Sequence, residues 1–148
     1  MLSVGDVAPD FSGEDQHGKR VSLSSLLERG KLVIYFYPKD FTPVCTAQAC
    51  TFRDATSELA ELGSNVVGVS GDTAESHQRF GSAHSVPFSL LPDPEHRIIK
   101  AYGASWLFGR TRRVTYVIDT NRRILGAFHH ELSAAKHLSD VKRLLQSK

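Results

Sequence analysis

Two continuous apolar segments constrain the fold of this chain more than any other feature of its sequence. The first is KLVIYFYP, in which residues 32–37 are all aliphatic or aromatic, and the second is NVVGVSG at residues 65–71. Uninterrupted apolar runs of strand length are typical of strands buried on both faces. Such strands need helices on each side of their sheet, so the sequence predicts an α/β arrangement.

The segment between these two strands has helical periodicity. Residues 42–63 place apolar side chains three or four positions apart, and Gly63 is the residue expected to end the helix. The predicted inner face consists of Phe52, Ala55, Leu59 and Leu62.

The rest of the chain completes the predicted sheet. Thr73 is expected to cap a helix that runs to about Ser85, and FSLLPDP is typical of a short strand. RVTYVID and RILGAFH are separated only by TNR, which predicts an antiparallel hairpin, and Ser133 begins a last helix. This order predicts one domain, residues 1–148, with a mixed central sheet flanked by helices. The thioredoxin-like fold is the leading candidate.

Charge and hydropathy exclude several classes of protein. The 148 residues carry a formal net charge of +2, which is too small to indicate a nucleic-acid partner. No segment approaches the roughly 18 apolar residues of a membrane helix. The N-terminus, MLSVGDVAPDF, lacks the basic and apolar regions of a signal peptide. We therefore expect no membrane association and a cytoplasmic location, or an organellar stroma if the chain is a processed form.

The two cysteines, Cys45 and Cys50, lie five residues apart near the predicted start of the long helix. Thr42 suits the N-cap and Pro43 suits the first helical position, so Cys45 becomes the third helical residue. Its sulfur then lies in the positive field of the helix N-terminus, which favours the thiolate, the nucleophilic form. An average cysteine is more often a small core residue, and for Cys50 alone that alternative stays open.

Metal binding and general disulfide exchange fit these cysteines poorly. A structural zinc site needs four ligands, and the sequence has no second cysteine pair. His77 and His84 could share a helix face, but no histidine has an acid or cysteine partner that the sequence identifies. We therefore expect the seven histidines at the surface. The spacing C-x-x-x-x-C also differs from the C-x-x-C of thioredoxin-type motifs.

The segment PKDFTPVCTAQAC resembles the active-site segment of peroxiredoxins, P-x-x-x-T-x-x-C, with Pro38, Thr42 and Cys45 at the matching positions. With a second cysteine at Cys50, it is similar to the bacterioferritin-comigratory-protein or peroxiredoxin Q subfamily. The similarity covers nearly the whole chain and includes VVGVSGDTAESHQRF and RVTYVIDTNRRI.

This resemblance implies a thiol peroxidase that reduces hydrogen peroxide and organic hydroperoxides without metal, haem or flavin. It implies that Cys45 is the peroxidatic cysteine and that Cys50 resolves its sulfenic acid as an intramolecular disulfide. Thioredoxin or a similar dithiol is the implied reductant, and the implied oligomeric state is a monomer. Pro38 is expected to shield the sulfur, Thr42 to bind the peroxide, and Arg113 to stabilise the thiolate.

The sequence departs from the family pattern at Val44, where many relatives have glycine, and over residues 103–113. The latter segment includes Trp106, for which a core and a surface position are equally open. Gln48 occupies the position of a glutamate or glutamine in relatives. Two other functions stay open on the same fold. One is a thiol–disulfide oxidoreductase, and the other is a redox sensor that uses oxidation as a switch.

Helix geometry limits how the two cysteines can react with each other. Residues five apart in an intact helix have Cα atoms roughly 8.6 Å apart, whereas a disulfide usually needs about 4.4–6.8 Å. We therefore predict separate thiols on a continuous helix in the reduced protein. We also predict that residues 42–52 unwind after Cys45 is oxidised.

Overall fold

The computed structural model describes residues 1–147. Within that range the strands are β1 (Ser12–Glu14), β2 (Arg20–Ser22), β3 (Lys31–Phe36), β4 (Ser64–Ser70), β5 (Ser89–Pro92), β6 (Val114–Ile118) and β7 (Ile124–His129). The helices are α1 (Leu23–Leu27), α2 (Pro43–Glu61), α3 (Ala74–Ala83), α4 (Arg97–Ala101) and α5 (Ala134–Gln146), with a short 3-10 turn at Leu107–Gly109.

Five of the strands form one mixed sheet in the order β5-β4-β3-β6-β7. Strands β3, β4 and β5 are parallel, whereas β6 pairs antiparallel with β3 and β7 pairs antiparallel with β6. The predicted hairpin is therefore β6–β7, and the predicted mixed α/β sheet is confirmed. Strands β1 and β2 form a separate antiparallel pair.

Strand β3 is buried on both faces, as its apolar run predicts. Leu32, Ile34 and Phe36 belong to the core that α1 and α4 cover. Val33 and Tyr35 belong to the opposite core, under α2, α3 and α5. The strand therefore lies at the centre of the sheet, and the loop at its carboxyl end leads directly into α2.

Helix boundaries follow the predicted capping residues closely. The helix α2 starts immediately after Thr42, and Gly63 lies just beyond its end with a φ of 77°. Thr73 and Ser133 accept hydrogen bonds from the first turns of α3 and α5. The sequence analysis missed α4, because five residues are too few to show helical periodicity. No helix within residues 1–147 is long and apolar enough to cross a membrane.

Candidate active site

Cys45 lies in the first turn of α2 and is 1% exposed. The backbone N–H of Thr46 donates to the Thr42 carbonyl at 2.8 Å, which closes this first turn. The expectation that the Thr42 hydroxyl caps the helix is wrong. That hydroxyl donates to the carbonyl oxygen of Lys39 at 2.8 Å and makes no capping bond. Because the Thr42 hydroxyl donates its proton to Lys39, the lone pairs of Thr42 Oγ1 are available to accept a hydrogen bond.

Arg113 contacts the sulfur of Cys45 directly. Its Nη1 donates to Cys45 Sγ at 3.0 Å and to Gln48 Oε1 at 3.1 Å, although the three residues come from two distant parts of the chain. All three side chains are buried. A guanidinium stays charged at any working pH, so the sulfur lies beside a permanent positive charge.

The orientation of Arg113 is fixed from its other side by Glu131, a residue that the sequence analysis missed. Arg113 Nε donates to the Glu131 carbonyl oxygen and the Arg113 backbone N–H donates to Glu131 Oε2, both at 2.9 Å. Partial burial acts to raise the pKa of Glu131, but the Arg113 backbone N–H and His129 outweigh it and hold that pKa below its usual value. Glu131 therefore stays ionised and holds the arginine in place.

Three aromatic rings form a platform in the core behind the first turns of α2. Tyr35 stacks on Phe52 with ring centroids 5.0 Å apart and on Tyr37 at 5.4 Å. Burial, followed by the negative charge at Cys45, raises the pKa of Tyr35 well above its ordinary value. The platform is therefore neutral and excludes water from one side of the helix.

The loop between β3 and α2 is anchored by Asp40, which is 3% exposed. Its carboxylate accepts hydrogen bonds from Tyr37 Oη at 2.6 Å and from His77 Nδ1 at 2.7 Å. Its backbone N–H donates to Asp72 Oδ2 at 2.8 Å. Pro38 lies half-buried in the same loop, and its role as a shield of the sulfur stays a prediction.

The expectation that the histidines lie at the surface is wrong for His77 and His137, which are both fully buried. His77 donates through Nε2 to the Leu91 carbonyl in addition to its bond with Asp40. Asp40, Asp72 and His77 offer ligand atoms within 4.8 Å of one another. Because these groups already satisfy one another, they are better described as a loop anchor than as a metal site.

His137 lies behind the strand that follows Arg113. Its Nε2 donates to the His130 carbonyl at 2.8 Å, and its Nδ1 accepts from the Thr115 hydroxyl at 2.8 Å. Burial is the main cause that lowers the pKa of His137 to about 4. The ring is therefore neutral at physiological pH, in the tautomer that carries its proton on Nε2.

Cys50 lies on the same uninterrupted helix as Cys45, and both thiols are free. This arrangement is the one predicted for the reduced protein. Cys50 is half-buried, and its sulfur lies 4.0 Å from Nδ1 of His84, the C-cap residue that follows α3. Sequence reasoning could not identify this histidine partner, because the two residues belong to different helices.

The segment that follows α4 presents apolar side chains to solvent. Trp106 is 46% exposed and Phe108 is fully exposed. The guanidinium of Arg112 lies 5.8 Å from the centre of the Trp106 ring. Trp106 is thus a surface residue, and Arg112, although adjacent to Arg113 in sequence, faces this ring rather than the Cys45 sulfur.

Residues 4–126 match the AhpC/TSA family. The chain belongs to this family of peroxiredoxins. Among its curated relatives, peroxiredoxin Q of Sedum lineare is 42% identical over 99% of this chain and 79% of its own length. Peroxiredoxin Q of Arabidopsis thaliana is 40% identical over 99% of this chain and 68% of its own length. Both relatives are named as chloroplastic.

Solved structures agree with this assignment. Peroxidoxin BcpB of Mycobacterium tuberculosis has a TM-score of 0.94 and 34% identity, covering 99% of this chain and 98% of its own. Peroxiredoxin Q of Xanthomonas campestris has a TM-score of 0.85 and 26% identity, covering 93% and 90%. The predicted thioredoxin-like fold is confirmed. The protein is a peroxiredoxin peroxidase similar to the peroxiredoxin Q and bacterioferritin-comigratory-protein group, as its active-site segment predicted.

Proposed function

We propose that this peroxiredoxin reduces hydrogen peroxide and organic hydroperoxides through Cys45, resolves the product with Cys50, and is recycled by thioredoxin or a similar dithiol. The observation that carries the proposal is the 3.0 Å contact between Arg113 Nη1 and Cys45 Sγ in the first turn of a helix. A buried sulfur beside a fixed cation and unpaired helix N–H groups is suited to react as a thiolate.

The peroxide step uses the groups around this sulfur. The Cys45 thiolate attacks the terminal oxygen of ROOH, a sulfur–oxygen bond forms, and the O–O bond breaks. The sulfur becomes a sulfenic acid, and the leaving RO⁻ takes a proton to become the alcohol, or water when the substrate is hydrogen peroxide. Thr42 Oγ1 accepts the peroxide O–H, because its own proton points to Lys39. Arg113 stabilises the charge that develops on the departing oxygen.

Resolution requires the first turns of α2 to open. Cys50–SH and Cys45–SOH combine to a disulfide and water, and this bond cannot form across about 8.6 Å of intact helix. Residues 42–52 therefore unwind, which exposes the disulfide to an external dithiol. Two electrons and two protons from that dithiol restore both thiols. Local opening of this kind costs less free energy than global unfolding.

Relatives provide support for the substrate class and for the compartment. The bacterioferritin comigratory protein of Xanthomonas campestris, 25% identical to this chain, has been described in terms of its alkyl peroxide reduction activity. We expect the same substrate class here. We also expect a monomer in a reducing compartment, either the cytoplasm or an organellar stroma like that of the chloroplastic plant relatives.

A coupled assay tests this function. Hydroperoxide consumption is followed with thioredoxin, thioredoxin reductase and NADPH, for the intact chain and for Cys45→Ser and Cys50→Ser. We expect no turnover for Cys45→Ser and a single stoichiometric oxidation for Cys50→Ser. Rapid exchange with a protein disulfide and no reaction with peroxide would instead favour a disulfide oxidoreductase. Retained turnover in Cys45→Ser would refute the assignment of the peroxidatic cysteine.

Hydrogen exchange tests the unwinding step separately. Amides of residues 45–52 should lose protection when the protein is oxidised, while those of residues 32–37 in β3 stay protected. Cys50→Ser treated with peroxide is the matched control, because it oxidises Cys45 without forming the disulfide. A Cys45–Cys50 disulfide with fully protected amides in α2 would contradict the model of local opening.

A further inference from the structure

The thiol of Cys50 has a histidine as its neighbour, and the established family activity does not require one. His84 is the C-cap residue that follows α3, and its Nδ1 lies 4.0 Å from Cys50 Sγ. A sulfur and a ring nitrogen at this distance form a weak, thiol-type hydrogen bond at most. The pair is nevertheless the arrangement in which imidazole can take a thiol proton.

The position of His84 is set by three independent contacts. Its carbonyl oxygen accepts from Arg53 Nη1 at 2.7 Å, which ties the end of α3 to α2 one turn beyond Cys50. Its ring packs on Phe80 with centroids 5.0 Å apart and on Phe41 at 6.4 Å. Nδ1 is thereby held toward the sulfur.

Nε2 of the His84 ring is free to carry the ring proton, which leaves Nδ1 unprotonated and able to act as a base. Within residues 1–147, Nε2 of His84 makes no hydrogen bond to a protein group, so it can carry the ring proton. Nδ1 then presents its lone pair to the Cys50 thiol. The buried histidines differ in this respect, because protein groups hold both ring nitrogens of His77 and both of His137.

We propose that His84 is the general base that prepares Cys50 to resolve the sulfenic acid, an inference that rests on the proposed role of Cys50. In the closed helix, Cys50–SH transfers its proton to His84 Nδ1. Once residues 42–52 unwind, the Cys50 thiolate attacks the Cys45 sulfur, the S–S bond forms, and the S–O bond breaks. The departing hydroxide takes the proton from the imidazolium, which gives water and regenerates neutral His84.

This assignment gives each of the two cysteines on α2 its own partner. Arg113 contacts only the first cysteine, and His84 only the second. The peroxide step should therefore be insensitive to His84, whereas disulfide formation should depend on it. Because the thiolate is the form that attacks the sulfenic acid, a base beside Cys50 is expected to accelerate resolution about tenfold.

The pairing is tested first without any peroxide chemistry. In a Cys45→Ser background, Cys50 is alkylated with iodoacetamide at neutral pH, with His84 intact or replaced by phenylalanine, glutamine or alanine. Phenylalanine keeps the ring packing on Phe80 and Phe41. We expect alkylation to slow about tenfold in all three variants and added imidazole to accelerate it in His84→Ala. Rates at strongly alkaline pH, where every thiol is ionised, correct for accessibility. Equal neutral-pH rates after that correction would overturn the proposal.

The second test follows the two steps of the reaction in the otherwise intact chain. Sulfenic acid formation is measured by trapping with dimedone, and disulfide formation by mass spectrometry. With His84→Phe we expect unchanged trapping, about tenfold slower disulfide formation and more over-oxidation of Cys45. Normal disulfide formation would refute the role of His84. Absence of any Cys45–Cys50 disulfide in the intact chain would instead refute the proposed function, whatever the alkylation result.

Discussion

Replacing Arg113 with alanine is expected to slow the oxidation of Cys45 by about 100-fold to 1,000-fold, the usual cost of losing one preorganised hydrogen-bond donor. The guanidinium donates to the sulfur at 3.0 Å. At an effective dielectric constant of about 20, a unit charge at that distance contributes roughly 5 kcal/mol. Water that enters the vacated space recovers part of this energy, so the net loss of transition-state stabilisation is about 3–4 kcal/mol.

Two matched variants sharpen the test. Arg113→Lys keeps the charge but cannot reproduce the simultaneous bonds to Cys45, Gln48 and Glu131, so it should recover only part of the rate. Arg112→Ala removes the neighbouring arginine, which lies over Trp106 and not beside the sulfur. It should change the oxidation rate little and the free energy of unfolding by about 0.5–1 kcal/mol.

The assay is stopped-flow measurement of Cys45 oxidation in a Cys50→Ser background, so that only the first step is observed. Circular dichroism and thermal unfolding establish that each variant is folded. Equal rate losses for Arg112→Ala and Arg113→Ala would refute the reasoning, because the charge would then act through the general field of the surface. An unchanged rate for Arg113→Ala would refute it as well.

Three further outcomes are expected. Thr42→Val should lose most peroxidase activity while the free energy of unfolding falls by no more than about 1 kcal/mol, the usual worth of a single hydrogen bond; steady-state kinetics and urea unfolding measure the two effects. Cys50→Ser should accumulate Cys45 sulfenic acid and then sulfinic acid at excess peroxide, which mass spectrometry detects. The free energy of unfolding should fall by up to about 3 kcal/mol as the pH drops from about 6.5 to 4, because the pKa of His137 is about 4 in the folded protein and near 6.5 in the unfolded chain. Between pH 6.5 and 4 His137 is protonated in the unfolded chain but neutral in the folded protein, so lowering the pH favours unfolding. His137→Gln should therefore flatten this part of the curve of stability against pH.

The features that sequence predicted well are those that depend on neighbouring residues. The apolar run of β3, the periodicity of α2 and the capping residues Thr73 and Ser133 are local signals, and each marked its element correctly. The active-site segment was recognisable for the same reason. Its proline, threonine and cysteines lie within a few positions of one another, because one loop and one helix start carry them.

The features that sequence missed depend on contacts between distant residues. Asp40 bonds to His77, which is 37 positions away, and the sequence around Asp40 does not indicate that partner. Glu131 holds Arg113 from a position 18 residues away, and His84 reaches Cys50 across 34. The error at Thr42 has a related cause. Its hydroxyl can hydrogen-bond either to the first turn of the helix or to the preceding loop. In the structure it bonds to the loop, at the carbonyl oxygen of Lys39.

We expect the proposed opening of α2 to be limited by an anchor on either side of the two cysteines. On the N-terminal side, Asp40 is bound to Tyr37, Asp72 and His77, and breaking such a buried polar set costs about 3–5 kcal/mol. On the C-terminal side, Phe52 is fully buried and stacked 5.0 Å from Tyr35.

Between these anchors the chain makes contacts that oxidation itself weakens. A neutral sulfenic acid at Cys45 no longer pairs with Arg113 as a thiolate does, so the helix start is then held by the turn closed at Thr42 and by the bond between Arg113 and Gln48. We therefore expect the opening to stop at Asp40 and Phe52. Asp40→Asn should extend the loss of amide protection into residues 37–41, and a pattern of exchange identical to that of the intact chain would refute this boundary.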